Sequence, residues 1–281
     1  MQIKTLGDKP LSLRNDGQLE VFFIGVGAAF ATTLHQTNFL IIKGDTHIMV
    51  DFGMTGPAAL LQTAQHLPED VEVVLPTHSH ADHVGGIECL GLKNRYLGIP
   101  FLKKPIIKMI IGEEYQRILW DYTLRGGMEY NEEEGGKNLV FGDYFDVTRP
   151  VWKTFQPREI FELDFKGIHL EIFRTNHYPA QSHDWQTAFV SFGLFIDDNV
   201  FISGDTQFDP ELIDLYGDRS EVMFHDVQFF PGAVHAPLND LKTLPDKIKA
   251  KMYLMHYADT WPEQDITGFA GWAEQGVRYI F

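Results

Sequence analysis

Three histidines and one aspartate lie within six consecutive positions, His78-Ser79-His80-Ala81-Asp82-His83. Neutral imidazole nitrogens and carboxylate oxygens are ligands that suit Zn²⁺. Side chains alternate in direction along an extended loop, so His78 and His80 are expected to point to one side while Asp82 and His83 turn to another. The segment therefore predicts two adjacent metal sites, and a chance surface cluster of histidines is the alternative.

A pair of metal ions needs more ligands than this one segment supplies. Three isolated residues qualify, because each follows a predicted strand: His177, Asp205 and His256. Each of them alone is equally well explained as an ordinary loop or capping residue. Together with the first segment, they complete two coordination spheres.

Two divalent ions about 3.5 Å apart lower the pKa of a shared water toward neutrality and stabilise charge on attacking and leaving oxygens. This chemistry predicts hydrolysis by metal-bound hydroxide, and an in-line attack on phosphorus fits it well. Asp82, beside the other ligands, is expected to orient that water or to accept its proton. The ligand types favour Zn²⁺, although Mn²⁺ or Fe²⁺ bind the same nitrogen and oxygen set.

The surrounding elements predict an α/β (α+β) chain in which the candidate ligands follow buried strands. Period-two and β-branched runs predict strands, and 3.6-residue periodicity predicts helices. The predicted strands are Leu19 to Ile24, Asn38 to Lys43, Ile48 to Asp51, Val71 to Leu75, Ile168 to Thr175, Thr187 to Ile196, Val200 to Ser203, Val222 to Phe224 and Met252 to Met255. The predicted helices are Pro57 to His66, Glu113 to Arg125, Pro210 to Tyr216, Leu238 to Leu244 and Ile266 to Gln275, and Gly126 to Gly136 is predicted to be an exposed loop. Two packed sheets with helices outside satisfy this order.

Length, net charge and cysteine content limit the kinds of domain and of binding partner that the sequence is compatible with. With 281 residues, 44% of them apolar, residues 1–281 are expected to form one compact domain. The net charge of −16, with no stripe of Lys and Arg, argues against a long nucleic acid, although metal ions would still attract a short anionic substrate. Cys89 is the single cysteine and is expected to pack in the core. We find no signal or membrane segment, so we expect a cytoplasmic protein that does not contact membranes.

The ordered set of His-x-His-x-Asp-His, His177, Asp205 and His256 resembles the metallo-β-lactamase superfamily across most of the chain. The resemblance implies a four-layer αββα sandwich with the site along one edge. It also implies that one ion is held by His78, His80 and His177, the other by Asp82, His83 and His256, and that Asp205 bridges them. Relatives that bind two irons for oxygen chemistry generally have a glutamate at the position of His80, so hydrolysis is favoured over redox chemistry.

A second resemblance concerns Phe224-His225-Asp226-Val227 and His235-Ala236, which look like the tail of the ribonuclease Z branch. In that branch an acidic residue orients a histidine that contacts the scissile phosphate. By this match Asp226 would orient His235 and favour the imidazolium form that donates a proton. The alternative for His235 is an exposed loop histidine. The segment Gly25 to Phe30 resembles the glycine-rich opening of the same branch, either for substrate approach or only for a tight turn.

The interval between His177 and Asp205 is short, where tRNA-processing relatives insert an arm that grips tRNA. Compact relatives of the branch include cyclic-nucleotide phosphodiesterases, among them phage enzymes that destroy immune cyclic nucleotides. The resemblance therefore implies a phosphodiesterase for a small substrate such as a cyclic nucleotide. Carbonyl hydrolases of the glyoxalase II type and lactonases share the metal motif and are the alternative, although they need no counterpart of Asp226 and His235. A metal-dependent binding protein without turnover is a third, more distant possibility.

The segment from Arg95 to Pro150 is longer than a simple connection requires. We expect it to be a lid over the pocket or a homodimer contact. Its aromatic residues, which could stack on a base or merely pack, are Tyr115, Trp120, Tyr122, Tyr130 and Tyr144. His183 and Trp185 are pocket candidates of the same kind.

Overall fold

A computed structural model describes residues 1–133 and 135–281, in which the strands form two large sheets and a short hairpin. The first sheet contains β1 (Gln2–Thr5), β2 (Glu20–Gly25), β3 (Asn38–Lys43), β4 (Thr46–Val50), β5 (Val73–Leu75), β6 (Ile107–Ile110), β9 (Phe145–Thr148) and β18 (Val277–Ile280). The hairpin is formed by β7 (Glu133–Glu134) and β8 (Lys137–Asn138). The second sheet contains β10 (Val151–Thr154), β11 (Ile160–Phe165), β12 (Ile168–Arg174), β13 (Phe192–Ile196), β14 (Val200–Ile202), β15 (Val222–Asp226), β16 (Met252–Met255) and β17 (Gly271–Trp272).

Both sheets follow the same plan, an antiparallel meander that continues into parallel strands. The first has the order β1-β18-β2-β3-β4-β5-β6-β9 and is parallel from β4 onward. The second runs in order from β10 to β17 and is parallel from β14 onward. Parallel strands place their carboxyl ends at one edge, where loops can present chemistry without disturbing the packed sheet.

Short helices connect these strands. They are α1 (Gly56–Ala59), α2 (Ala81–Val84), α3 (Ile87–Lys93), α4 (Ile99–Leu102), α5 (Glu113–Leu119), α6 (Arg125–Met128), α7 (Pro210–Tyr216), α8 (Leu238–Leu241) and α9 (Asp246–Lys249). Wider π turns extend or join several of them at Leu60–Ala64, Asn94–Gly98 and Trp120–Leu124, and 3₁₀ turns lie at Pro68–Asp70, Phe141–Asp143 and Trp261–Glu263. None of the helices described is long and apolar enough to cross a membrane.

The two sheets pack face to face with helices outside. Phe224 of β15 lies between the sheets, with its ring centroid 5.0 Å from those of Phe23 in β2 and Tyr279 in β18. On the outer face of the second sheet, Tyr216 of α7 packs 4.8 Å from Phe173 of β12. Burying these rings removes a large apolar area from water, which is the main force that holds such layers together. The observed layering agrees with the predicted αββα arrangement.

The segment from Arg95 to Pro150 is partly built into the first sheet, because β6 and β9 pair at its edge. The helical stretch from α5 to α6 lies between them along the chain. Among its aromatic residues, Tyr115 and Tyr144 are buried and pack in the core, whereas Tyr122 and Tyr130 are exposed. Cys89 is half-buried in α3 rather than fully enclosed.

Three predicted elements differ from the structure. The exposed loop predicted from Gly126 to Gly136 begins inside α6, where Met128 is fully buried, and it contains β7. The predicted helix from Ile266 to Gln275 is wrong: this stretch forms turns and the two-residue strand β17, and Gly268 and Gly271 adopt positive φ angles of 95° and 150° that a helix does not contain. The predicted strand from Thr187 to Ile196 begins only at Phe192. Arg174 explains the shortening, because its guanidinium donates to the carbonyls of residues 185, 188 and 189 and holds them outside the sheet.

A second buried arginine fastens α7 to the end of β12. The side chain of Arg158 is 1% exposed and donates to the carbonyl of Arg174 at 2.7 Å. It also contacts the carboxylates of Asp209 at 2.5 Å and Glu211 at 3.0 Å, at the start of α7. Removing this buried cation is strongly destabilising because Asp209 then remains desolvated and uncompensated, whereas Glu211 is partly exposed.

Arg158→Met is therefore expected to lower the free energy of unfolding by about 3–5 kcal/mol, since it leaves two carboxylates without their cation. Urea unfolding followed by circular dichroism would measure the change. Lys247→Met is the matched control, because it removes an ion pair with Asp218 whose two side chains are exposed to solvent. The control should change stability little. Equal effects of the two substitutions would contradict the structural importance of Arg158.

Candidate metal centre

The seven residues predicted as metal ligands meet at one edge of the sandwich. The segment from His78 to His83 follows β5, His177 follows β12, Asp205 follows β14 and His256 follows β16. Their ligand atoms fall into two groups, each with all atoms within 4.8 Å of one another. The first group is His78, His80, His177 and Asp205, and the second is Asp82, His83, His256 and Asp205.

In the first group, Nδ1 of His80 lies 3.1 Å from Nε2 of His78 and 3.0 Å from Nε2 of His177. Oδ2 of Asp205 lies 3.7 Å from each of the latter two nitrogens. Three imidazole nitrogens thus converge beside one carboxylate oxygen.

In the second group, Oδ2 of Asp82 lies 3.3 Å from Nε2 of His83 and 3.1 Å from Nε2 of His256. Oδ2 of Asp205 lies 3.1 Å and 3.4 Å from the same two nitrogens. The same oxygen of Asp205 therefore belongs to both groups.

This arrangement fits two divalent cations. Asp205 Oδ2 and His83 Nε2 are fully buried and lack a hydrogen-bond partner among the described residues, which a buried polar atom rarely tolerates. Ligand atoms about 2.0–2.1 Å from Zn²⁺ in a tetrahedron are roughly 3.3 Å apart, and the separations in both groups scatter around that value. A bound cation would satisfy both orphaned atoms at once.

The electrostatics of the first group favour ligand chemistry. Burial lowers the pKa of His177 to about 3 and lowers the pKa values of His78 and His80 as well. These imidazoles are therefore neutral at physiological pH, which is the form that coordinates a metal ion.

The second group is electrostatically different because it contains more carboxylate. Burial opposes the charged form of His83, but the carboxylates of Asp205 and Asp82 prevail and raise the pKa of His83 well above its usual value. The same carboxylates raise the pKa of His256 against burial. In the absence of a cation, protons on these rings balance the carboxylates, so metal binding at this group must release them.

Asp51, at the end of the predicted strand Ile48 to Asp51, is a functional residue that the motif analysis missed. Its Oδ2 accepts a hydrogen bond from His83 Nδ1 at 2.7 Å, and its Oδ1 accepts one from the backbone N–H of Thr77 at 2.7 Å. Placing the proton on His83 Nδ1 leaves Nε2 free as a ligand. A signal was available, because an aspartate that ends a buried strand beside a metal motif commonly orients a ligand.

Close backbone contacts hold the ligand loop. A Cβ atom on Gly53 would lie 1.8 Å from the carbonyl oxygen of Asp82, so this position requires glycine. Asn38 donates to the same carbonyl at 3.2 Å and accepts from Gly53 N–H at 2.5 Å. In the glycine-rich segment, a Cβ on Gly25 would lie 2.2 Å from the carbonyl of Gln36. Glycine is thus required at this position because the backbone of β2 lies close to that of Gln36.

The pair of His235 and Asp226 lies beside the ligands. Nδ1 of His235 is 2.9 Å from Oδ2 of the fully buried Asp226. The His235 ring lies 4.9 Å from that of His177 and 4.6 Å from that of His256, and its side chain is 18% exposed. Burial disfavours a charged Asp226, but contacts with His225 and His235 lower its pKa and keep it ionised. His235 therefore occupies the open side of the centre and is not an unrelated loop residue.

Other pocket candidates lie farther from the ligand atoms. Trp185 is buried and its indole nitrogen donates to the carbonyl of Pro157, whereas His183 is exposed. Tyr178, which the sequence analysis did not single out, packs with its ring centroid 4.3 Å from that of His80. A cavity of about 760 Å³ lies between α5 and the second sheet, and it is lined by Trp120, Arg149 and Phe161 rather than by ligand residues.

If Asp205 joins two metal sites, Asp205→Asn should reduce the metal content from about two ions per chain to less than one, because a neutral amide cannot bridge two cations. Inductively coupled plasma mass spectrometry of purified protein would measure it. Asp226→Asn is the matched control, because Asp226 is equally buried but belongs to neither of the two ligand groups. The control protein should retain both ions. An Asp205→Asn protein with a full metal content would refute the bridging role.

Comparison with known proteins agrees with this geometry. The model of the family described as Anti-Pycsar protein Apyc1 matches residues 19–279. The Anti-Pycsar protein Apyc1 of Paenibacillus harenae is 33% identical over 264 residues, which are 93% of this chain and 99% of that protein.

Solved structures resemble the fold with much lower identity. The metallo-beta-lactamase fold protein YhfI from Bacillus subtilis superposes with a TM-score of 0.66 and 15% identity, over 94% of this chain and all of that one. The short form of human tRNase Z superposes with a TM-score of 0.62 and 15% identity, over 92% of this chain and 98% of that one. The predicted metallo-β-lactamase fold is thus confirmed. Since the family model spans nearly the whole chain, the chain belongs to the Anti-Pycsar protein Apyc1 family.

Proposed function

We propose that this protein is a dinuclear-metal phosphodiesterase that hydrolyses a small phosphodiester, specifically a cyclic mononucleotide. The observation that carries the proposal is the contact of 2.9 Å between His235 and Asp226 on the open side of the metal centre. Cleavage of a phosphodiester needs a proton on a poorly acidic leaving oxygen, and this pair is built to supply one.

The two ligand groups are the proposed metal sites. One ion would be held by His78, His80 and His177, and the other by Asp82, His83 and His256. Asp205 would bind both ions. When bound, such ions polarise the phosphoryl oxygens and activate a water molecule at neutral pH. Zn²⁺ suits the ligand types best, and Mn²⁺ and Fe²⁺ are the competitors.

His235 can donate a proton only through one nitrogen. Its Nδ1 is engaged by Asp226, so Nε2 is the nitrogen that remains for the substrate. In the reaction, water adds to phosphorus, the bond between phosphorus and the ester oxygen breaks, and that oxygen takes the proton from Nε2. A cyclic mononucleotide and one water then yield a nucleoside monophosphate.

Asp226 holds more than His235. Its Oδ2 also accepts a hydrogen bond from the backbone N–H of Thr206 at 3.1 Å, immediately after Asp205. The carboxylate therefore fixes the position of the proton donor relative to the loop that carries the shared ligand. Fixed relative positions are the main contribution a protein makes to such a reaction.

We assign to Asp82 a second role beside metal binding, which is to orient the attacking water or accept its proton. Its contacts with His83 and His256 use Oδ2. Those two imidazoles overcome burial and hold the pKa of Asp82 well below its usual value, so the carboxylate stays ionised. An ionised carboxylate can accept a hydrogen bond from the attacking water and so orient it.

Several observations favour a small substrate. The chain carries a net charge of −16, and only 27 residues separate His177 from Asp205, which leaves no room for an RNA-gripping arm. A small anion would be drawn to the metal centre itself rather than to a basic surface. The description of the family, Anti-Pycsar protein Apyc1, is consistent with the resemblance of the sequence to cyclic-nucleotide phosphodiesterases.

Carbonyl hydrolysis is the alternative. A thioesterase or lactonase would need the metal centre but not the pair of His235 and Asp226, and this pair is well formed. A binding protein without turnover would need neither the pair nor the complete set of ligands.

The segment from Arg95 to Pro150, with Tyr122 and Tyr130 exposed, remains our proposal for a lid or a homodimer contact.

His235→Ala should lower kcat for a cyclic mononucleotide by about 10²- to 10⁴-fold, because the leaving oxygen loses its proton donor. Chromatographic detection of the nucleoside monophosphate, after reconstitution with Zn²⁺, would measure it. A thioester and a lactone serve as control substrates. Turnover of either control that does not depend on His235, without turnover of any cyclic mononucleotide, would favour the carbonyl hydrolase.

Asp82→Asn tests the second role of the aspartate. We expect turnover to fall by at least about tenfold even in preparations that retain both ions, because an amide cannot accept a proton from water. Metal content and initial rates should be determined on the same sample. Full turnover with both ions present would exclude Asp82 as the base.

A further inference from the structure

A buried glutamine organises the loop that carries His235. Gln228 lies two residues after Asp226, and its side chain belongs to the core, being 5% exposed. The chain then leaves the sandwich: residues 231–233 are exposed, and Phe230 is 60% exposed. It returns at His235 and Ala236, the latter fully buried. This loop, residues 229–235, must be shaped by contacts at its base because its tip lies in solvent.

The carboxamide of Gln228 provides these contacts. Its Nε2 donates to the carbonyl of Phe230 at 2.9 Å and to the carbonyl of Gly232. Its Oε1 accepts from the backbone N–H of His235 at 3.3 Å. One side chain thus binds three backbone groups spread over the loop.

The backbone of the loop is strained where the glutamine holds it. Gly232 has a φ of 76°, and the next residue, Ala233, has a φ of 67°. A residue with a Cβ adopts this left-handed conformation only at an energetic cost, so surrounding contacts must stabilise it. Without the carboxamide, the loop would relax and carry His235 with it.

The other side of the loop is attached to the metal centre. His177 Nδ1 donates to the carbonyl of Val234 at 2.8 Å, which also leaves His177 Nε2 free as a ligand. His235 therefore lies between two anchors, the carboxamide of Gln228 and the ring of His177. The main chain of Gln228 adds a third, because it exchanges hydrogen bonds with Ala236 and Leu238.

We propose that Gln228 is a positioning residue for the phosphodiesterase reaction: it holds loop 229–235 so that His235 keeps its bond to Asp226 and faces the leaving oxygen. The inference rests on the proposed function, because it takes His235 as the proton donor. Gln228 itself does not contact the substrate. Its effect should therefore appear only where a proton must be delivered.

Two substrates separate proton delivery from every other step. A cyclic mononucleotide releases a weakly acidic alcohol, whereas bis(p-nitrophenyl) phosphate releases an acidic phenol that needs no proton. Gln228→Met keeps the length of the side chain and removes its hydrogen bonds. We expect kcat for the cyclic mononucleotide to fall by roughly 10- to 100-fold with little change in KM, and kcat for bis(p-nitrophenyl) phosphate to fall less than about threefold.

A double-mutant cycle tests whether Gln228 acts through His235. If it does, Gln228→Met combined with His235→Ala should be no slower on the cyclic mononucleotide than His235→Ala alone. Independent effects that multiply would overturn the inference. So would a loss of the same size on both substrates, or a loss of bound metal, since both indicate a general structural role.

Hydrogen–deuterium exchange provides a readout that does not depend on turnover. In the Gln228→Met protein, amides of residues 229–235 should exchange at least about tenfold faster, while those of β15 and β16 remain protected. Gln62→Met is the matched control, because among the residues that the structure describes its exposed carboxamide makes a hydrogen bond only with the ring of His35. It should change neither exchange in the loop nor either rate.

Gln228→Glu is a second variant of the same position, which keeps the test possible if Gln228→Met does not fold. It has the same shape and keeps the acceptor for the His235 N–H, but it replaces the two donations to carbonyls by repulsion. It should show the same substrate-selective loss. If the unaltered protein hydrolyses phosphodiesters and His235→Ala is selectively impaired, but both Gln228 variants behave as the unaltered protein, then only this inference fails. If the unaltered protein cleaves no phosphodiester, the proposed function fails first.

Discussion

The structure depends on one buried carboxylate oxygen that has no hydrogen-bond partner in the described part of the chain. Oδ2 of Asp205 is surrounded by the nitrogens of His78, His83, His177 and His256, all within 3.7 Å. Neutral imidazoles cannot all donate protons to a single oxygen, and a buried charge without compensation is strongly destabilising. Cations at the two groups would satisfy the oxygen and the imidazoles together. The arrangement is therefore one that bound metal ions would stabilise.

Much of the surrounding architecture serves to hold these atoms in place before metal binds. His256 adopts a left-handed backbone with a φ of 57°, and Asp51 does so with a φ of 59°. Both conformations are unfavourable for residues with a Cβ, and such strain is concentrated at functional sites. Asp51 accepts a hydrogen bond from Nδ1 of His83, and the carbonyl of Val234 accepts one from Nδ1 of His177, so that Nε2 of each ring is free to bind a metal ion. His83 and His177 are thus each oriented by a partner that lies outside the metal groups.

The same design extends from the predicted ligands to His235, the proposed proton donor. Asp226 is in contact with His235 and with the N–H of Thr206, so it joins the donor to the loop of Asp205. Gln228 shapes the loop that brings His235 back toward the centre. The metal centre is common to many hydrolases of this fold, so the substrate class must be decided by groups beside it. In this enzyme those groups form a continuous set of hydrogen bonds that begins at the shared ligand.

The sequence by itself determined the ligand set and most of the strands that present it, because both are encoded locally. Two features are visible without coordinates: the spacing of His78, His80, Asp82 and His83, and the apolar runs before each remaining ligand. Strands such as Asn38–Lys43 and Met252–Met255 lie where they were predicted. The predicted helix at Ile266 to Gln275 failed because its apolar spacing competes with two glycines that require positive φ angles.

Only the tertiary structure decided which side chains support the ligands. Asp51 is 32 residues from His83, and Gln228 acts on a loop that turns away from the core before it returns. Such contacts leave no periodicity or motif, because they depend on how strands from two sheets are brought to one edge. The pairing of Asp226 with His235 lies between these cases. Resemblance indicated it, and the folded chain places the two side chains 2.9 Å apart. Local chemistry is thus readable from the sequence, whereas the distances that make it a site arise from long-range packing.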